Sequence, residues 1–266
     1  MKYTVLSLFP EIIDAYFASS IMAKAVSRGI VEYRSINIRD YALDKHRTCD
    51  DATYGGGAGM LMLAEPLGRA LEAAGASMKT DREAGSGPGK ARVIYLSPSG
   101  RPFDQALAHE LAAEQELMLL CGRYEGIDQR IIDAYADDEV SVGDYVLSSG
   151  EVAALAVIDA TYRLVEQVIT PASLEEESFS AGLLEYPQYT RPELYGMMRV
   201  PEVLLSGHHE NIRRWRLERQ VEKTLLLRPD LIRLGEEKGL FSDEIRKIIE
   251  EKRRSGMAAS EENERD

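Results

Sequence analysis

An α/β fold built on a largely parallel sheet is predicted by three observations. The chain opens with a strand, helix, strand unit; strand-length apolar runs then alternate with helix-length segments up to residue 168; and glycine-rich, charged loops recur at the carboxyl ends of those runs. Residues 3–9 (YTVLSLF) read as the first strand. Pro10 suits the first turn of a helix that ends before Gly29, and residues 30–37 (IVEYRSIN) alternate as a second strand. Residues 39–62 carry Lys45, His46, Arg47, Asp50 and Asp51 ahead of Gly55, Gly56, Gly57 and Gly59, a composition that fits a functional loop or a flexible connector.

Residues 64–74 read as a short helix stopped by Gly75, and residues 80–90 as an exposed, mobile loop. The next strand, 92–96 (RVIYL), runs into the tight turn Ser97-Pro98-Ser99-Gly100. A helix over 103–114 leads to the strand 116–121 (ELMLLC), and a helix over 127–135 leads to the strand 139–142. The loops at 97–100, 122–126 and 142–150 are therefore expected to open on one side of the sheet, where α/β folds commonly hold ligands. Charge is concentrated there, in Arg123, Glu125, Asp128, Arg130 and Asp144, beside Gly122, Gly126, Gly143 and Gly150. No G-x-G-x-x-G follows a strand and no P-loop occurs, so any nucleotide-like cofactor is held in another way.

Residues 151–168 read as a mostly buried helix. Arg163 near its end is either a partner for the helix dipole or a charged donor aimed into a site. Residues 170–182, with proline, serine, glycine and an acidic run, read as a linker, after which the chain becomes helical: 206–227, 230–235 and 242–254. On the longest of these helices Arg213, Arg216 and Lys223 recur at spacings of three and seven, while Leu217, Val221 and Leu225 recur every four on another face. The apolar stripe is expected to pack and the basic one to face out, as solvated surface or as a nucleic-acid contact.

Composition narrows the class of protein. With 266 residues, 44% hydrophobic and 29% charged, the chain has the make-up of a folded protein and not of a disordered one. No run approaches the roughly 20 apolar residues of a membrane span, and the N-terminus lacks a signal h-region, so a cytoplasmic protein is expected. Two cysteines, Cys49 and Cys121, make no disulfide framework, and His46 with Cys49 lacks the further ligands of a structural zinc site. A net charge of −13 argues against wholesale polyanion binding, yet bases gather locally in RDYALDKHR (39–47) and IRRWRLER (212–219).

Eight motifs in order carry a resemblance over nearly the whole chain: SLFPE (7–11), DKHRTCDD (44–51), YGGGAGM (54–60), IYLSPSGRPFDQ (94–105), LLCGRYEGIDQR (119–130), SVGDYVLSSGE (141–151), GLLEYPQYTRPE (182–193) and VLLSGHHENIRRWR (203–216). Together they resemble the bacterial tRNA (guanine-N1)-methyltransferase family of the SPOUT superfamily. The resemblance implies an α/β domain over 1–168 with a parallel sheet and a deep trefoil knot, an exception to the rule against threaded connections. It also implies a linker over 169–184, a small helical tRNA-binding domain over 185–254 and an acidic flexible tail over 255–266.

The implied reaction is methyl transfer from S-adenosylmethionine to N1 of guanosine 37, just 3′ of the tRNA anticodon, by a homodimer whose active site lies at the subunit interface. The implied cofactor cradle comprises Tyr95, Leu96, Ser97, Pro98, Gly100, Gly122, Glu125, Val142, Gly143, Asp144, Tyr145, Val146, Leu147 and Gly150. Glu177, standing where the family usually has an aspartate, is the implied base, and Arg163 the arginine supporting O6 or the base. Asp50, Gly59, Ser178, Arg191, His209, Arg213 and Arg216 are the implied tRNA contacts. Magnesium is implied too, with no ligand cluster visible in the sequence. A non-catalytic RNA-binding protein would need neither Glu177 with Arg163 nor three cofactor-sized loops, and a phosphotransferase would need a phosphate cradle that the sequence lacks.

Overall fold

Period-2 burial along the strands divides the core of the first part of the chain between the two faces of one sheet. In β6 (Glu116–Cys121), Leu117, Leu119 and Cys121 join the cluster on one face, and Met118 and Leu120 the cluster on the other. The same alternation places Ile94 and Leu96 opposite Val93 and Tyr95 in β5 (Arg92–Pro102). Burial on both faces is what a parallel sheet covered by helices requires. The computed structural model describes residues 1–83, 91–170, 178–179 and 182–263, with residues 83 and 256–263 described by backbone alone. The chain divides into two compact units, Met1–Ile169 and Thr170–Asp266.

In the first unit five parallel strands pair in the order β2-β1-β6-β5-β7, where β1 is Lys2–Ser7, β2 Glu32–Asn37 and β7 Asp138–Ser141. Helices α1 (Pro10–Phe17) and α2 (Ser20–Ser27) cover one face together with two others, α5 (Gln105–Ala112) and α7 (Gly150–Tyr162). The other face is covered by α3 (Ala64–Ala74) and α6 (Gln129–Tyr135). The buried Tyr3 hydroxyl at the sheet meets the Thr161 hydroxyl of α7 at 2.8 Å, a polar tie across the first cluster.

Several expected boundaries move. The single helix expected from Pro10 towards Gly29 is two helices, because Ser19 is extended and Ser20 takes a left-handed φ of 54°. The Ser19 hydroxyl turns back to the carbonyls of Ala15 and Tyr16, ending α1 instead of capping α2. The region expected as a loop over 80–90 begins with a short helix, α4 (Lys79–Glu83), pinned by Arg82 to Asp137 at 2.7 Å; residues 84–90 lie outside the described residues. The helix expected to reach 168 stops at Tyr162, and the chain tightens there through the bonds Leu164 N to Thr161 O and Val165 N to Tyr162 O, both 3.1 Å. Residues 39–62 are neither a bare loop nor a plain connector. They contain an antiparallel pair, β3 (Asp50–Ala52) with β4 (Met60–Met62), joined through glycines at positive φ.

The turn expected at 97–100 is also different. β5 continues through Pro102 with a break in register: Leu96 and Arg101 both lie opposite Val140, so the intervening residues bow out and the strand returns to β7.

Among the described residues of the second unit, the regular elements are helices and the short hairpin of β8 (Leu194–Tyr195) and β9 (Met198–Arg199). Its helices are α8 (Glu202–Leu205), α9 (His209–Leu227), α10 (Pro229–Glu237) and α11 (Asp243–Asn263). The expected apolar stripe Leu217, Val221, Leu225 packs with Ile232, Phe241, Ile248 and Ile249. Leu183, placed in the linker by sequence, is 2% exposed in this same cluster, and the Leu184 N–H donates to the Thr224 hydroxyl at 2.9 Å. The tail read as flexible from 255 continues the last helix to Asn263, on a Met-Ala-Ala run of good helix formers.

The Tyr3 to Thr161 tie generates a stability prediction. Tyr3→Phe should lower unfolding free energy by about 1 kcal/mol, the usual worth of one buried hydrogen bond, without changing the far-ultraviolet circular dichroism. Urea unfolding of the two proteins checks it, and equal midpoints would refute it.

Candidate functional site

The three loops expected to share one side of the sheet do so because β5, β6 and β7 are parallel neighbours, so their carboxyl ends lie side by side. A cavity of about 410 Å³ opens there, within the range of small-molecule sites. Its wall includes Tyr95, Leu96, Ser97 and Pro98 from β5, Gly122 and Glu125 from the loop after β6, and Val142, Gly143, Tyr145, Val146, Leu147 and Gly150 from the loop after β7. Of the residues expected in a cradle, Gly100 and Asp144 are not on the wall, and Asp144 is exposed. The cradle implied by the resemblance did not include Ser99, Arg123, Tyr124, Gly126, Val140, Ser141, Ser148, Ser149 or Ala153, which also line the cavity. Arg123 did carry a signal, as a charge set among glycines.

Two glycines explain how the loops come so close. A Cβ on Gly150 would sit 2.7 Å from the Gly122 nitrogen and 2.8 Å from Cys121 Cα, and the Gly150 N–H donates to the Gly122 carbonyl at 2.9 Å. A Cβ on Gly100 would collide with the backbone of Glu139 and Val140. Gly100 therefore shapes the site from behind its wall, by letting the returning strand lie on β7. Around the second loop the strain is local: Tyr124 adopts φ 57°, a left-handed conformation costing about 1–3 kcal/mol that the surrounding bonds must hold. The Glu125 N–H donates to Met60 O at 3.0 Å, and the Met62 N–H donates to Gly126 O at 3.0 Å, fastening this loop to β4. Gly59 leaves room for Glu125, whose Cγ would lie 2.5 Å from a Cβ there.

The charges of these loops are mostly engaged in shaping them. Asp128 caps α6, accepting from the Arg130 N–H, and binds the Arg130 guanidinium at 2.7 Å; that guanidinium, before any other cause, holds the carboxyl below its ordinary range. Cys121 lies at the mouth of the second loop but is not poised as a nucleophile. Burial, and next the Glu151 carboxylate, push its thiol well above the ordinary value. Tyr95 stays a neutral phenol, its pKa raised by burial and then by Glu139.

Arg163 is the C-cap of α7, whose opposite end reaches the cavity at Gly150, about 20 Å away at the helical rise per residue. Glu177 lies outside the described residues. Asp50 opens β3 and Gly59 precedes β4. In the second unit the Ser178 hydroxyl accepts from the Glu185 N–H at 3.0 Å, Arg191 is exposed, and His209 opens α9. Arg213 is clamped between Glu210 and Glu244, at 2.9 and 2.8 Å, and these two carboxylates raise its pKa. The expectation that the basic stripe faces out is corrected at two positions. The Arg216 guanidinium lies 4.8 Å over the Tyr186 ring and the Lys223 ammonium donates to the Glu185 carbonyl at 3.0 Å, because the extended 183–189 segment runs along that face. Among the described residues no group of three or more His, Cys, Asp or Glu side chains could hold a metal ion. Among them, too, no helix is long and apolar enough to cross a membrane.

Residues 1–234 match the family model described as tRNA (Guanine-1)-methyltransferase TrmD. A Treponema denticola protein named tRNA (guanine-N(1)-)-methyltransferase is 59% identical over 251 residues, covering 94% of this chain and 98% of that one. Proteins of the same name from Treponema pallidum and Borrelia duttonii are 54% and 55% identical, covering 94% and 87% of this chain and 96% and 92% of their own.

Gly150→Ala should widen the gap between the second and third loops and cost about 1–3 kcal/mol of stability, the range for forced overpacking. Denaturant titration reads the loss, and an unchanged midpoint would show that the contact is slack. Cys121, buried and neutral, should resist iodoacetamide at pH 8 in the folded protein and react only after unfolding, as followed by mass spectrometry.

Proposed function

The chain belongs to the tRNA (guanine-1)-methyltransferase family and methylates N1 of guanine in tRNA, and on that premise we propose that the methyl donor is S-adenosylmethionine held in the cavity at the ends of β5, β6 and β7. The acceptor is guanosine 37, beside the anticodon. The observation that carries this reading is the cavity itself: about 410 Å³, walled by three loops from adjacent parallel strands and drawn together by backbone contacts at Gly150. A bound S-adenosylmethionine supplies a methyl group activated by its sulfonium. Polar backbone groups at 95–98, 122–126 and 142–150 fit such a ligand, and glycines let them approach it. We read the close passages at Gly100 and Gly150 as parts of a deep trefoil knot.

The acceptor chemistry sets the remaining requirements. Guanine N1 bears a proton, so its in-plane lone pair becomes available only as that proton leaves and negative charge grows on O6. Glu177 accepts the proton from N1, and Arg163 stabilises the charge at O6 or orients the base. The distance along α7 supports a division of labour between subunits: a binding wall at one end of the helix and Arg163 at the other suit a homodimer in which one protomer's arginine serves its partner's cavity. Exposed apolar side chains at the cavity rim, Val146 at 88% and Tyr145 at 56%, fit coverage by a second copy and by the substrate base. Magnesium is a further cofactor that the family resemblance implies; among the described residues no group of three or more His, Cys, Asp or Glu side chains is placed to hold it. The helical second unit serves as the tRNA-binding part, through His209, Arg213, Arg216 and Arg191, and Asp50, Gly59 and Ser178 complete the tRNA contacts. A tRNA substrate fits the cytoplasmic setting expected from the sequence.

Glu177→Gln should reduce methyl transfer to tRNA by about 10²–10⁴-fold, the range of general base catalysis, while leaving S-adenosylmethionine affinity nearly unchanged. Turnover within about threefold of the parent, far below that range, would remove Glu177 from the role. Replacing Arg213 and Arg216 together by alanine should weaken tRNA binding and reduce the slope of log K against log salt by roughly 1–2. An unchanged slope in filter binding would refute their contact with phosphate.

A further inference from the structure

The first motif of the resemblance, SLFPE at 7–11, has no part in the chemistry above, yet it lies beneath the cavity wall. Ser7 ends β1 and is fully buried; its hydroxyl donates to Glu151 Oε1 at 2.5 Å and accepts from the Phe9 N–H at 2.8 Å. Glu151, in the first turn of α7, has no exposed surface. Its other oxygen, Oε2, lies 3.6 Å from Arg123 Nε, and neither atom has a hydrogen-bond partner among the described residues. Arg123 itself stands 4.3 Å over the Phe9 ring and donates to the Ser148 carbonyl at 3.3 Å. One guanidinium thus touches the segment after β1, belongs to the second loop of the cavity and is bonded to the third.

Glu151 is shut off from the cavity and can touch neither cofactor nor substrate. At 3.6 Å its approach to Arg123 is longer than the roughly 2.7–2.9 Å of a charge-assisted hydrogen bond, so the two groups form an ion pair with no direct hydrogen bond between these atoms. A fully buried carboxylate left short of full contact with a partly exposed guanidinium is costly unless something else uses it. Arg123 lies on the cavity wall, between Gly122 and Tyr124, so any shift that closes the pair also moves that wall towards the third loop.

We infer that Glu151, anchored by Ser7, is a positioning residue that acts through Arg123 to hold the second and third loops at the separation the cofactor requires. This rests on the reading of the cavity as the S-adenosylmethionine site. The role assigned to Glu151 is separable from the methyl-transfer step, because proton transfer and O6 stabilisation come from other residues.

The test compares the full-length parent with Glu151→Gln, which keeps the shape and an acceptor for Ser7 but removes the charge facing Arg123, and with Ser7→Ala. Calorimetry gives Kd for S-adenosylmethionine, and steady-state assays give kcat and KM for both substrates. For Glu151→Gln, Kd and KM for S-adenosylmethionine should rise by about tenfold, equivalent to about 1.4 kcal/mol, with kcat and the KM for tRNA within about twofold. Ser7→Ala should shift the same two constants by roughly threefold, within the worth of one hydrogen bond, and it carries the test alone if Glu151→Gln does not fold. In an Arg123→Gln background, Glu151→Gln should add less than about twofold, as expected of residues that act as one unit. Full additivity, or cofactor binding unchanged in a variant that only melts earlier, overturns the inference while leaving the cavity assignment intact. A parent protein that fails to bind S-adenosylmethionine overturns both.

Discussion

Close approach of backbone to backbone is the constraint on which the rest of the first unit depends. The Gly150 N–H reaches the Gly122 carbonyl at 2.9 Å, and at Gly100 the returning end of β5 lies directly on β7. Neither passage has room for a Cβ. Once those contacts are made, three loops from parallel neighbours are held around one cavity, and side chains behind the wall decide how far apart they stand. Glycine is needed here for its lack of volume more than for its flexibility: neither Gly100 nor Gly150 is among the glycines with positive φ.

The length of α7 then separates two tasks. Its first residue lies on the cavity wall and its C-cap is Arg163, so within one chain the wall and the arginine stand at opposite ends of a rigid rod. In the proposed homodimer this separation is useful, because a cavity can bind its cofactor alone while transfer waits for groups brought by the partner and by the tRNA. The network of Ser7, Glu151 and the half-buried Arg123 belongs to the binding end only.

In the second unit charge is organised by pairing. Arg213 lies between Glu210 and Glu244, Arg214 meets Glu218 at 3.0 Å, and Arg219 meets Glu222 at 2.6 Å. Exposed pairs of this kind contribute little to stability and are screened by salt. A phosphate that competes for Arg213 has to displace carboxylates, so a chain with net charge −13 can bind a polyanion locally without attracting every polyanion it meets.

Much of this was legible in the amino-acid sequence. Alternating apolar runs determined the strands and their two buried faces, Leu217, Val221 and Leu225 determined the packed face of the long helix, and ordered motifs determined the family. These features are local or periodic, so adjacent residues suffice to reveal them. Tertiary structure alone decided the rest. That β5 bows out and rejoins β7, that Gly100 stands behind the wall, and that Arg216 and Lys223 turn to the 185–186 segment depend on partners tens of residues away. Ser7, Arg123 and Glu151 are separated by more than a hundred positions at the widest, and no periodicity links them. Only the pairing of β1 with β6, and the packing of α7 against the same sheet, makes them neighbours.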